Sequence, residues 1–69
     1  MIVYEPLWET MKHKNITKYR LIRYHGIGKN TLDRMAKNLP TSSVTINDLC
    51  KVLNCEVCDV MKYVEDIDE

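Results

Sequence analysis

Residues 17–35 read TKYRLIRYHGIGKNTLDRM. The stretch holds two short segments with apolar residues at helical spacing, joined by a turn with two glycines. Thr17 is a good N-cap for the first helix, which we predict to run to about Tyr24. Gly26 can take the left-handed conformation that ends a helix, and Ile27 then returns an apolar anchor to the core.

The second helix of this stretch is predicted from Lys29 to about Lys37. Leu32 and Met35 supply its inward face, as Leu21 and Ile22 do for the preceding helix. Two helices joined by a short glycine-containing turn have the spacing of a helix-turn-helix. This arrangement leaves the polar N-terminal face of the second helix free to enter a DNA major groove, which is about 12 Å wide.

A first helix ending near Asn15 and a short strand are predicted before this stretch. Pro6 suits the first turn of that helix. Apolar residues at i, i+3, i+4 and i+7 form its stripe and are interpreted as core, namely Tyr4, Leu7, Trp8 and Met11. Residues 1–4 have the composition of a strand, which could pair with a second copy of itself.

Two more helices are predicted after the loop at residues 38–43. Thr45 to Asp48 resembles a capping box, from which a fourth helix runs to about Leu53. The fifth is predicted from Val57 to Tyr63, and residues 65–69 form an acidic tail. We therefore predict one all-α domain of five helices over residues 1–69, with a short N-terminal strand.

Length and composition exclude several classes of protein. A chain of 69 residues with zero net charge has room for one small domain. No apolar run approaches a membrane span and the N-terminus lacks signal-peptide features, so we expect a cytoplasmic protein with no membrane partner. The residues Gly26, Gly28 and Lys29 lack the full phosphate-loop pattern. With no catalytic constellation in view, we expect neither an enzyme nor a cofactor or small-molecule ligand.

Three cysteines raise metal or redox chemistry through the spacing Cys55-x-x-Cys58. A structural zinc needs four ligands, whereas His13 and His25 lie far upstream with no second close pair. We therefore predict no metal site and interpret the thiols, with Cys50, as small hydrophobes in a reducing compartment. A metal or redox protein remains a third alternative, which zinc analysis would decide.

Residues 17–35, followed by TINDLCKVLNC at 45–55, resemble the lambda-repressor-like Cro/CI (XRE) helix-turn-helix family in its stand-alone, single-domain form. The resemblance implies a five-helix domain that binds operator DNA, commonly as a dimer. Two positions depart from the family pattern. Lys18 replaces the usual Gln, which favours phosphate contact over base reading, and Ile22 replaces the usual Ala, which would separate the two helices slightly.

The resemblance places Lys29, Asn30 and Thr31 first at the DNA. Lys can donate to guanine, Asn can pair with adenine, and Thr offers a hydroxyl and a methyl group. Arg34 could reach a base or a phosphate, while Asp33 could accept from cytosine or orient Lys29 or Arg34. Phosphate anchors are predicted at Lys18, Lys37 and the helix N-terminus around Gly28.

The charge distribution agrees with a nucleic-acid partner despite the neutral sum. Residues 1–47 carry eight Lys and Arg against three Asp and Glu, whereas residues 48–69 carry two against seven. Together with the helix-turn-helix, the family resemblance implies a sequence-specific transcriptional regulator that binds double-stranded DNA as a homodimer. The alternative is a protein-interaction module of the same fold, antitoxin-like or anti-repressor, whose partner surface is the acidic C-terminal part or the region of Trp8.

Overall fold

The computed structural model describes residues 1–66, which form four α-helices and a two-stranded sheet. The predicted tail at 65–69 therefore lies partly outside the described residues. The elements, in chain order, are β1 (Ile2–Val3), α1 (Glu5–His13), α2 (Lys18–His25), α3 (Lys29–Ala36), α4 (Ser43–Leu53), a one-turn 3-10 helix (Val57–Asp59) and β2 (Lys62–Tyr63).

One apolar cluster holds the helices together. All four helices and the segment after the 3-10 helix contribute to it, while α2 supplies a single buried residue. Its buried members are Tyr4, Leu7, Met11, Leu21, Ile27, Leu32, Met35, Leu49, Leu53 and Val60. Within residues 1–66 no polar or charged residue is buried. The polar side chains of α2 and α3 are therefore on the surface of the domain.

Each helix is followed by a residue in the left-handed conformation. These residues are Asn15, Gly26, Asn38 and Asn54, with φ of 56°, 70°, 58° and 51°. Gly and Asn tolerate positive φ best, so the chain can leave each helix in a short turn. Asn38 has a second role, because its Oδ1 accepts a hydrogen bond of 3.1 Å from the backbone N of Tyr4 at the start of α1.

The predicted fifth helix is wrong. Only Val57–Asp59 is helical, as a single 3-10 turn, and Lys62–Tyr63 forms a strand. In a continued α-helix the Asp59 carbonyl would accept a hydrogen bond from Tyr63 N. It instead accepts a hydrogen bond of 2.7 Å from Thr10 Oγ1 on α1. β-Branched Val57, Val60 and Val64 also lower the helix propensity of this segment. The segment therefore closes the core with Val60 and then pairs with β1.

The sheet also corrects the expectation for the N-terminal strand. β1 pairs antiparallel with β2 of the same chain, with Ile2 opposite Tyr63 and Val3 opposite Lys62. The partner of β1 is therefore β2 of its own chain rather than a second copy of β1. The sheet joins the two ends of the described chain and fixes the start of α1.

Two smaller predictions are corrected near the helices. The N-cap of α4 is Ser42 rather than Thr45, since Ser42 Oγ accepts 3.2 Å from Thr45 N and the helix begins three residues earlier than a Thr45 cap implies. Ile22, predicted to face inward, is 37% exposed. The physical reason is that Leu21 points into the core, and the next residue lies about 100° around the helix.

Candidate nucleic-acid interface

The turn between α2 and α3 occupies three residues and begins at Gly26, whose φ is 70°. The backbone N of Ile27 donates to the Leu21 carbonyl at 3.0 Å, and the Ile27 side chain is buried. Gly28, with extended backbone, is the N-cap of α3. The turn is thus fastened to the last turns of α2 and to the core. This fixes the direction in which α3 leaves, as the helix-turn-helix prediction requires.

The start of α2 carries positive charge. Thr17 Oγ1 accepts from Arg20 N at 3.2 Å, which confirms the predicted N-cap. Lys18 is the first helical residue, and no acidic residue lies in the first turn. A cation there opposes the helix macrodipole at the N-terminus, where anions are favoured. The start of α2 is therefore suited electrostatically to a phosphate.

The surface of α3 consists of two polar rows. Leu32 and Met35 face the core and are almost fully buried. By helical spacing, one row contains Lys29, Asp33 and Lys37, and the other contains Asn30 and Arg34. All five of these polar residues are exposed, while Thr31 is half-buried and lies close to Gly28. Lys37 is the C-cap, so it lies at the opposite end of α3 from Lys29.

Lys29 and Asp33 form an ion pair along the first row. Lys29 Nζ lies 3.1 Å from Asp33 Oδ2, and both side chains are largely exposed. Orientation of Lys29 was one of the roles predicted for Asp33. Exposed pairs one turn apart contribute only about 0.3–0.5 kcal/mol to helix stability. The carboxylate therefore holds Lys29 weakly at the surface of α3.

Arg34 contacts the loop after α3. Its Nη2 donates to the Pro40 carbonyl at 3.2 Å, and its own carbonyl accepts from Leu39 N at 3.0 Å. The guanidinium remains exposed and has five N–H donors, so one bond leaves others available. Arg34 thus has a structural contact that the sequence pattern did not indicate.

Lys18 lies over the ring of Trp8, with its Nζ 4.8 Å from the ring centroid. A cation–π contact at a solvent-accessible site contributes about 0.5–1 kcal/mol. Trp8 is half-buried on α1 and packs against the core, as predicted, but its contact with Lys18 was missed. No local pattern could have shown it, because the two side chains come from different helices.

The outer face of α2 is both aromatic and basic. Tyr19 and Tyr24 are 63% and 66% exposed, and their rings meet edge to face at 6.4 Å. Arg20 and Arg23 are exposed on the same helix. Neither arginine was assigned a role from the sequence. Together with Lys18 they make α2 a source of positive potential beside α3.

The cysteines do not form a metal centre within residues 1–66, where no group of three or more His, Cys, Asp or Glu is placed to hold an ion. Cys50 and Cys55 are half-buried against the core, in agreement with the hydrophobe interpretation, whereas Cys58 is exposed. Burial raises the pKa of the Cys55 thiol, and the neighbouring Cys50 and Asp59 raise it further. Cys55 is therefore a weakly ionised thiol.

The sequence of the chain matches a known family of DNA-binding domains. The family model of the Cro/C1-type HTH DNA-binding domain matches residues 6–66. The chain belongs to this family. The family resemblance predicted from the sequence is thereby confirmed, and this Cro/C1-type domain presents its helix-turn-helix as α2 and α3. No curated protein matches the sequence.

A solved structure is similar to this Cro/C1-type domain over most of its length. It is the crystal structure of the transcriptional regulator VanUg, form II, with a TM-score of 0.84 and 25% sequence identity. The match covers 94% of this chain and 87% of the VanUg chain. The helix-turn-helix fold thus has an experimental counterpart in a transcriptional regulator.

Among residues 1–66 of this chain, no helix is long and apolar enough to cross a membrane.

Proposed function

We propose that this Cro/C1-type domain is a transcriptional regulator that binds double-stranded DNA sequence-specifically, with α3 in the major groove. The observation that carries the proposal is the exposed polar surface of α3, held at a fixed angle by the turn at Gly26. An α-helix with its side chains is about 10–12 Å in diameter and therefore fits a major groove about 12 Å wide; α3, with eight residues, is about 12 Å long.

Base recognition is assigned to the first turn of α3. Lys29 and Asn30 are exposed there, and Thr31 is half-buried beside them. Lys donates to guanine O6 and N7, and the Asn amide pairs with adenine N6 and N7. Thr offers its methyl group to thymine. These three side chains would therefore read adjacent base pairs.

Phosphate contacts are assigned to the residues around that turn. Lys18 at the start of α2 and Lys37 at the end of α3 place positive charge at two separate points. The free backbone N–H groups after Gly28 add an anion-binding helix terminus. Arg34 contributes through the donors that its Pro40 contact leaves available. Such phosphate contacts fix the position of the protein on DNA, whereas contacts to the bases determine which sequence it prefers.

A homodimer on a partly palindromic site completes the proposal. One copy of α3 spans few base pairs, and the acidic charge of residues 48–69 limits non-specific attraction to DNA. Two copies would place their α3 helices in successive major grooves about 34 Å apart. Simultaneous binding of the two copies to two half-sites then supplies the affinity that one copy lacks.

Selection from a random duplex pool, followed by titration at two salt concentrations, tests this function. We expect enrichment of a site with two related halves and an affinity that falls steeply with salt, by about 0.9 in log-log slope per phosphate contact. Sedimentation of the complex gives the number of copies bound. A pool that remains random after selection would refute sequence-specific binding.

A protein-interaction module of the same fold is a second candidate, favoured by one surface feature. An apolar groove of about 520 Å³ lies between α4 and the 3-10 helix and is lined mainly by Ile46, Cys50, Val57 and Met61. Val57 is 55% exposed there. Apolar surface of this kind suits a partner's apolar side chains. Absence of salt-dependent DNA affinity in the titration above would favour this candidate.

A further inference from the structure

We propose that Trp8 is a positioning residue for DNA binding, which holds the Lys18 ammonium ready for a phosphate. The inference rests on the proposed DNA-binding function and adds to it a residue outside the helix-turn-helix. The proposal is based on the contact between the two side chains, in which the Lys18 Nζ lies 4.8 Å from the Trp8 ring centroid.

The contact orients the cation without neutralising it. Among residues 1–66, no carboxylate lies within ion-pair distance of Lys18, whereas Lys29 is paired with Asp33. A phosphate that reaches Lys29 must compete with that carboxylate. At Lys18 the partner is the face of an aromatic ring, which attracts the ammonium through its quadrupole and carries no net charge. The full positive charge of Lys18 therefore remains available.

The position of Lys18 makes such orientation useful. It is the first residue of α2, so its positive charge adds to the positive end of the helix macrodipole. No acidic side chain in the first turn offsets that charge. A lysine side chain has high rotamer entropy, and a binding partner must overcome the cost of ordering it. A ring that restricts the side chain in the free protein removes part of that cost before DNA arrives.

Trp8 is suited to this role because its side chain packs against the core of the domain. It belongs to α1, is half-buried, and packs against the core cluster that includes Leu7 and Met11. The ring is thus fixed by the fold rather than by Lys18. It is also the single tryptophan of the chain, so the indole emission comes from Trp8 alone.

A double-mutant cycle on the selected duplex tests the proposal. Trp8→Leu keeps an apolar side chain, although a smaller one, and removes the aromatic face; we expect DNA affinity to fall about two- to five-fold. In the Lys18→Met background the same change has no further effect. The salt slope falls by about 0.9 for Lys18→Met and is unchanged for Trp8→Leu, because Lys18 still reaches its phosphate.

Two controls separate positioning from a structural role. Trp8→Phe retains an aromatic face and recovers most of the affinity. Because Phe also restores part of the packing volume that Leu lacks, urea denaturation of both variants measures the packing loss separately. Lys62→Met removes a lysine outside the helix-turn-helix and leaves the effect of Trp8→Leu intact. If Trp8→Leu weakens binding equally with and without Lys18, the ring acts through the fold and the proposal is overturned.

The spectroscopic arm is independent of DNA. In the free protein, Lys18→Met changes the Trp8 emission and Lys62→Met does not; an unchanged spectrum for Lys18→Met overturns the contact itself. Wild-type protein without salt-dependent DNA affinity would instead refute the proposed function, and with it the role of Trp8. The Trp8 emission would still report whether the contact exists, so the two failures are distinguishable.

Discussion

Lys29 Nζ lies 3.1 Å from Asp33 Oδ2, which places a carboxylate one turn behind the residue proposed to meet a base first. The pair is exposed and weak, so its effect on folding is small. We expect its effect on binding to be larger, because phosphates repel a negative charge on the face that is proposed to meet DNA. We therefore predict that the pair limits the attraction of α3 for DNA that lacks the preferred bases.

Asp33→Asn tests this limit. We expect DNA affinity to rise about two- to ten-fold at low salt, with most of the gain on non-specific sequences, since the Lys29 charge is no longer paired. Anisotropy titrations against selected and scrambled duplexes measure it. Asp48→Asn removes the same charge from α4 and serves as the control. An equal gain there would mean that net charge alone is responsible.

Asn30→Ala and Lys37→Met separate base reading from phosphate contact. Loss of the Asn30 amide relaxes choice at one base position, at a cost of about 1–3 kcal/mol on the preferred site. Loss of the Lys37 charge weakens all sequences alike and lowers the salt slope by about 0.9. Competition titrations against a panel of single-base variants compare them. Equal losses on every duplex for Asn30→Ala would remove its assignment as a base reader.

Asn38 combines a left-handed backbone with a side-chain bond to α1. Its φ is 58°, and its Oδ1 accepts from Tyr4 N at 3.1 Å. Asn38→Gly keeps the favourable φ and loses the bond, which costs about 1 kcal/mol of unfolding free energy. Asn38→Ala loses both and costs roughly 1 kcal/mol more. Urea denaturation gives both values, and equal destabilisation by the two variants would contradict a contribution from backbone strain.

The N-cap of α4 gives a direct contrast between two hydroxyl residues. Ser42 Oγ accepts from Thr45 N at 3.2 Å, so Ser42→Ala is expected to cost about 1 kcal/mol of stability. Thr45→Val keeps the shape of the side chain and removes its hydroxyl from a helical position, so its cost should be clearly smaller. Thermal or urea unfolding compares them. A larger loss for Thr45→Val would restore Thr45 as the cap.

The cysteines should differ in reactivity. Cys58 is exposed, whereas the pKa of Cys55 is raised by burial and by its neighbours Cys50 and Asp59. The thiolate is the reactive form, so Cys58 is expected to be alkylated first by iodoacetamide at pH 8. The rate at Cys55 increases only at higher pH. Peptide mapping of timed samples gives the order, and equal rates in the native protein would contradict it.

The helix-turn-helix follows from signals that act within a few residues. The hydroxyl of Thr17 caps α2, Gly26 alone of these residues adopts positive φ without strain, and Leu32 and Met35 repeat at helical spacing. Each of these effects depends on neighbours along the chain. The sequence was therefore sufficient for α2, the turn and α3, and for the exposure of Lys29 and Asn30.

Other features depend on groups that meet only in the folded chain. The valines after Glu56 fit a helix by spacing, yet Thr10 takes the Asp59 carbonyl and Ile2–Val3 pairs with Lys62–Tyr63. Trp8 meets Lys18 in the same way, from a different helix. Local periodicity is insensitive to such partners, because a distant hydroxyl, strand or ring competes for the same backbone group or cation only once the core has brought them together.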